Sequence, residues 1–270
     1  MKYVTIHGIP VPAVGLGTWQ LKGEICIAAV EHALSIGYRH IDTAQVYDNE
    51  REVGRALRTG RVDRDKIFLT TKIAPANFAR NNIITSTHQS LKRLGTEYVN
   101  LLLLHWPSRA IALEETLGAL LELKQSGQVR HIGLSNFSAS EVEQASRYAP
   151  IFCNQVEYHP YLAQPELLAQ AREMNYMLTA YCPLALGKVL QDDHLLAIGK
   201  AHGKSVAQTA LRWLIQQDNV IAIPKAGSAE HRCDNLAIFD FALSETEMQN
   251  IHAIHRRKRV VIAEMLGWEH

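Results

Sequence analysis

What this chain lacks narrows it first. It has only four cysteines in 270 residues, Cys26, Cys153, Cys182 and Cys233. They lie far apart and form neither a CxxC pair nor a metal-ligand spacing, which argues against a disulfide scaffold or a zinc ribbon and suits reduced thiols in a cytoplasm. Charge imbalance is also missing: 28 Lys and Arg stand against 27 Asp and Glu, a formal net charge of +1. No global field points to nucleic acid or to an anionic membrane, so a small neutral or anionic partner is the simpler expectation. No apolar run approaches the roughly 20 residues that span a bilayer. The chain reads as soluble and unprocessed, and with no long apolar stripe beyond those of its helices it reads as a monomer. No linker or low-complexity segment divides it. Its 47% hydrophobic content can bury one large core, so residues 1–270 read as a single domain.

What is present is a rhythm. Short β-branched or leucine-rich runs alternate with longer amphipathic stretches, the βα pattern of a parallel sheet. Strands are expected at 14–17, 38–43, 67–73, 99–105, 129–135, 152–157, 177–181 and 220–224, and helices at 24–36, 50–58, 82–94, 113–126, 140–148, 164–174 and 206–216. Runs such as VNLLLLH are apolar at successive positions, which indicates burial on both faces. Eight such units fit a closed (β/α)8 barrel of the TIM type better than an open sheet. The opening YVTIHGIPVP reads as a β-hairpin turning at His7 and Gly8, placed to close the barrel bottom. Ser140 and Glu143 have capping-box spacing, Gly127 follows a helix, and Ser205 is positioned to cap the helix that begins at Val206.

Four polar residues stand at or just beyond the C-terminal ends of these strands: Asp42, Tyr47, Lys72 and His105. In a barrel those ends form one mouth, so residues distant in sequence can meet there. A lysine cation beside a tyrosine stabilises the phenolate and lowers the hydroxyl pKa, which would make Tyr47 an acid usable near neutral pH. Asp42 would compensate the burial of Lys72. His105 would donate a hydrogen bond that orients a substrate oxygen. Together they polarise a carbonyl and deliver a proton to its oxygen.

The segments HIDTAQVYDNE, LTTKI, LLLLHWP, VRHIGLSNF and NQVEYHP, in this order and spacing, resemble the aldo-keto reductase superfamily. The resemblance runs from Gly15 to Leu236 and is closest to the bacterial branch with short loops, that of 2,5-diketo-gluconate reductases and related aldehyde reductases. It implies reduction of aldehydes and ketones by direct hydride transfer from NAD(P)H bound across the barrel mouth. Tyr47 is then the proton donor, Lys72 and Asp42 tune it, and His105 orients the carbonyl. Ser135, Asn136 and Gln155 match positions that hold the nicotinamide carboxamide, Tyr181 matches the aromatic that stacks on the ring, and Gly17, Thr18, Asp42 and Leu184 border the cofactor. No GxGxxG follows a strand, in keeping with a family that does not use that fingerprint.

The phosphate end departs from the family pattern. IPKAGSAEHRCDN follows the eighth strand and opens a helix, where backbone N–H groups favour anions. Lys225 matches the cation for a 2′-phosphate, but Ala226 stands where the family has serine and His231 where it has arginine, while Asn235 is kept. Arg232 is displaced by one residue, a turn of about 100° on a helix, and Ser228 is a partial substitute for the serine. NADPH is expected to be preferred, with NADH tolerated. Trp19, Tyr47, His105, Trp106 and Trp268 are expected to wall the substrate pocket. The short segment between Trp106 and Leu113, and the chain's early end beyond Leu236, point to an open site for small aldehydes, methylglyoxal-like dicarbonyls and keto-sugars. Two alternatives stand beside this reading: a non-catalytic, cofactor-binding accessory subunit, and a metal-dependent barrel hydrolase. A lysine and a tyrosine suit the metal alternative poorly, and no metal is expected.

Overall fold

The computed structural model describes residues 2–254 and 258–261. It opens on two short strands, β1 (Tyr3–Ile6) and β2 (Ile9–Pro12), paired antiparallel. His7 at φ 47° and Gly8 at φ 80° form the two-residue turn, which needs left-handed conformations at both positions if its twist is to match the strands.

Eight parallel strands follow: β3 (Leu16–Gly17), β4 (His40–Asp42), β5 (Phe68–Ile73), β6 (Val99–Leu104), β7 (Val129–Ser135), β8 (Ile151–Glu157), β9 (Met177–Tyr181) and β10 (Val220–Ala222). Each pairs with the next, and bridges from Val14 to Ala222 and from Gly17 to Lys225 join the first to the last. The result is the closed barrel expected from the βα rhythm. At that seam a side chain at Gly17 would lie 2.7 Å from the Ile223 carbonyl oxygen, so the close approach of the two backbones requires glycine.

Around the barrel lie α1 (Gly23–Ser35), α2 (Glu50–Thr59), α3 (Arg80–Leu94), α4 (Leu113–Gln125), α5 (Ala139–Ser146), α6 (Pro165–Met174), α7 (Asp193–Ala201), α8 (Val206–Ile215), α9 (Ala229–Leu236) and α10 (Glu245–Ala253). The apolar strand runs are covered on both faces: every residue of β5 and β8 is buried. Inside the barrel, Phe68, Leu101, Leu103, Phe152, Cys153, Met177 and Ile221 form a separate apolar layer, sealed by Ile6 and Val11 of the hairpin. Phe68, Phe152 and Met177 come from the first two residues of their strands, so the hairpin does close the bottom. Apolar filling there leaves polar side chains room at the opposite end.

Several details differ from the sequence expectation. The cap of α5 is Ser138 rather than Ser140: its N–H donates to Glu141 Oε2 at 2.8 Å and its hydroxyl accepts the Glu141 N–H. The segment SASEVE offers two serine–glutamate pairs of identical spacing, and the earlier one carries the extended backbone a cap requires. Ser205 caps α8 as expected, in a box with Gln208. Helices α7 and α10 were not anticipated. The first lies between β9 and the helix that precedes β10, which breaks the one-helix rhythm. Strand β10 stops at Ala222, two residues short of the expected end, and Pro224 just beyond has no N–H for a ladder.

Replacing Gly17 by Ala is expected to lower the stability of the seam by about 1–3 kcal/mol, the usual cost of forcing a methyl group into a filled space. The shift in urea midpoint at constant slope measures it.

Candidate active site

Strand ends bring the four polar residues together. Asp42 closes β4, Lys72 lies one residue before the end of β5, and His105 follows β6 directly. Tyr47 rides on a short 3-10 turn, Gln45–Tyr47, beyond β4. That turn is held from outside: Lys22 Nζ donates to the carbonyl oxygens of Tyr47 and Asp48. On the inner side, Thr18 Oγ1 donates to the Asp42 backbone oxygen at 2.9 Å.

Lys72 is the centre of the cluster. Its ammonium is fully buried and donates to Asp42 Oδ1 at 2.5 Å, to the Thr43 carbonyl at 3.0 Å and to Tyr47 Oη at 3.3 Å. Three N–H bonds thus have three acceptors. The other Asp42 oxygen accepts Gln155 Nε2 at 2.8 Å from β8, which ties the pair across the barrel. Burial alone pulls the Lys72 ammonium down, yet Asp42 and Tyr47 more than offset it and hold its pKa above the ordinary value. Lysine therefore stays charged.

Tyr47 and His105 face one another edge to face, with ring centroids 5.6 Å apart at 75°. Burial pushes the Tyr47 hydroxyl above its ordinary pKa, against the pull of Lys72. This differs from the sequence expectation of a lowered value, because desolvation at the barrel mouth outweighs one cation. The hydroxyl stays protonated at neutral pH, the state a proton donor requires, and Lys72 acts on the phenolate that forms after the transfer. Burial, and after it the Lys72 charge, holds the His105 imidazole well below the ordinary histidine value. Neutral imidazole donates one hydrogen bond without carrying charge.

A cavity of about 540 Å³ opens over these residues. Tyr47, His105, Trp19 and Trp106 line one part of it; Ser135, Asn136, Gln155 and Tyr181 continue the floor, and Gly17, Thr18, Leu184, Pro224 and Lys225 extend it along the seam. A larger and more open depression of about 920 Å³, lined by residues such as His88, Lys92 and Arg130, contains none of the four and offers no comparable set of converging polar groups. Asn136, at φ 66°, is already engaged: its amide donates to the His105 carbonyl and to Ser135 Oγ, and its oxygen accepts the Tyr181 hydroxyl at 2.7 Å. Gln155 gives its amino group to Asp42 and keeps Oε1 as an acceptor. An aromatic face, a hydroxyl and an amide acceptor on one floor, with a cation at the far end, form a donor set that fits a nicotinamide dinucleotide.

The remaining expected residues are distributed otherwise. Ser228 caps α9 and accepts the His231 N–H at 3.1 Å. Arg232 is buried, with Nη1 on the Ala226 and Gly227 carbonyls and Nε toward His32 Nδ1. Asn235 is also buried. These three do not line the cavity; Arg232 braces the loop from behind. Trp268 lies outside the described residues. Sequence reasoning did not assign Glu157 or Val261, although an acid ending an otherwise apolar strand was a visible signal for the first.

A model of the aldo/keto reductase family matches residues 13–256. Methylglyoxal reductase DkgB of Salmonella typhi is 38% identical over 262 residues, which cover 95% of this chain and 98% of that protein. A solved structure described as a putative 2,5-diketo-D-gluconic acid reductase B superposes with a TM-score of 0.96 at 44% identity, covering 100% of this chain and 98% of the other. An aldo-keto reductase complexed with NADPH superposes with a TM-score of 0.91 at 29% identity, covering 97% of this chain and 90% of the other.

The His105 ring is expected to stay neutral as pH falls through about 6.5, where an ordinary histidine takes up its proton. Ring nitrogen shifts followed by NMR measure this, and charging at that pH would contradict the electrostatics described above.

Proposed function

We propose, from the premise that this chain belongs to the aldo/keto reductase family and is an oxidoreductase of carbonyl groups, that it reduces small dicarbonyls such as methylglyoxal, and keto-sugars, with NADPH. The observation that carries this reading is the Lys72 ammonium with its three acceptors, one of them Tyr47 Oη. Because that oxygen accepts from lysine, the phenolic proton is left to point into the cavity. A substrate carbonyl oxygen placed between Tyr47 and His105 would take a hydrogen bond from each.

The nicotinamide, when bound, supplies the hydride for the carbonyl carbon. Tyr47 gives its proton to the carbonyl oxygen as negative charge develops there, so the C=O bond becomes CH–OH and the phenol becomes phenolate. Lys72 stabilises that phenolate until solvent returns the proton. Asp42 keeps the lysine charged, and Gln155 fixes the orientation of Asp42. Trp19 and Trp106 shield the reacting centre from water, which strengthens each of these interactions. Ser135 Oγ and Gln155 Oε1 would meet the carboxamide, and the Tyr181 ring its nicotinamide face.

Lys225, exposed at the end of the cavity, would meet a 2′-phosphate. With Arg232 occupied by loop carbonyls, this single cation favours NADPH while leaving NADH usable. Among the described residues, no helix is long and apolar enough to cross a membrane, and all four cysteines are free. Free thiols suit a reducing compartment, and the location proposed here is the cytoplasm, with the monomer as the working state.

Tyr47→Phe is expected to lower kcat for methylglyoxal by about 10²–10⁴, the range for loss of a positioned general acid, with NADPH affinity nearly retained. NADPH oxidation and cofactor fluorescence titration measure the two effects. Wild-type turnover in that variant would remove Tyr47 from the reaction, and a wild-type protein inert toward a panel of aldehydes and dicarbonyls would favour an accessory role. Lys225→Ala is expected to cut the NADPH-to-NADH ratio of kcat/KM by about tenfold, as loss of one charged hydrogen bond implies. An unchanged ratio would show that Lys225 does not meet the phosphate.

A further inference from the structure

Strand β8 ends in Glu157, a carboxylate with no exposed surface and no task in the proton transfer described above. Its oxygens receive three N–H groups: His159 Nε2 at 2.9 Å and the Val260 amide at 2.6 Å on Oε1, and the Val261 amide at 3.1 Å on Oε2. A buried carboxylate needs such donors, because unpaired it would bear its full desolvation cost. Two of them come from a segment 103 and 104 positions further along the chain.

Residues 258–261 belong to no helix or strand. The Lys258 amide donates to the Tyr161 carbonyl at 3.2 Å, and the Val260 and Val261 amides are satisfied by Glu157. The carboxylate thus provides what a neighbouring strand would provide elsewhere. What it holds in place matters for the site: Val261 lines the same cavity as Tyr47 and His105. The Arg259 guanidinium stands 6.0 Å from the centroid of Trp106, another wall of that cavity.

We propose that Glu157 is a positioning residue that seats residues 258–261 as a wall of the substrate end of the cavity, and so determines how well larger carbonyl compounds are held. This rests on the carbonyl-reductase reading above. A small dicarbonyl occupies the space between Tyr47 and His105 and touches little of this wall. An aromatic aldehyde extends beyond that space and depends on it. Loosening the wall therefore acts on the KM of the larger substrate and not on the shared chemical step.

The test compares kcat and KM for methylglyoxal and benzaldehyde in the wild type, Glu157→Gln and Val261→Ala, together with hydrogen exchange at the Val260 and Val261 amides. In the wild type both amides are expected to be protected. In Glu157→Gln one carboxylate oxygen becomes an N–H donor, so at least one of the two amides loses its acceptor and should exchange about tenfold faster or more. In both variants the benzaldehyde-to-methylglyoxal ratio of KM should rise about threefold or more. Unprotected amides in the wild type, or a smaller rise in either folded variant, would overturn the proposal. If Glu157→Gln does not fold, wild-type exchange and the Val261→Ala ratio decide it. A wild-type protein that reduces neither substrate would refute the carbonyl-reductase reading instead, and amide exchange would still report on the Glu157 anchor.

Discussion

The buried ammonium of Lys72 is the constraint on which the rest of the site depends. Moving a cation out of water costs several kcal/mol, and the cost is tolerable only where good acceptors surround the charge. Asp42, Thr43 and Tyr47 provide them, and each comes from β4 or the turn just after it. Strand β5 must therefore lie beside β4 in the observed register, which pairs Asp42 with Thr70 and brings Lys72 level with the turn. The chemistry and the strand order are one requirement.

That requirement spreads outward. Gln155 reaches Asp42 from the other side of the barrel, so the charge cluster is also a cross-brace. Asn136 joins the ends of β6, β7 and β9 through His105, Ser135 and Tyr181. Rigid strand ends hold such groups to the tolerances that proton transfer needs. At the opposite end, the hairpin and the layer beneath it are mainly apolar, with the rings of His40 and His131 packed against Phe68 and Phe152, whereas the buried Lys72–Asp42 ion pair lies at the mouth.

Much of this was legible in the chain. Period and apolarity located the strands to within a few residues, and the four polar residues declared themselves by standing at strand ends. Other features were not legible for identifiable reasons. Ser138 and Ser140 present the same local motif, and only backbone conformation separates them. Arg232 sits one residue from the expected position, and its inward rotation onto the Ala226 and Gly227 carbonyls depends on packing between α1 and α9. The pKa direction of Tyr47 turned on a competition between desolvation and Lys72, which sequence spacing cannot weigh because it holds no measure of burial.

The chain by itself determined the kind of structure and the kind of chemistry: eight βα units, a sealed bottom, and an acid, a phenol, an amine and an imidazole at one mouth. These follow from local periodicity and from which residue types stand at strand ends, both of which are written along the chain. Only the tertiary structure decided which groups are already engaged and which remain to meet a ligand. It spent the Gln155 amino group on Asp42, turned Arg232 inward, and gave Glu157 to the backbone of Val260 and Val261. Each of those contacts joins residues far apart in sequence or elements whose mutual orientation is set by packing, and hydrogen-bond satisfaction in a buried space is a property of the assembled fold.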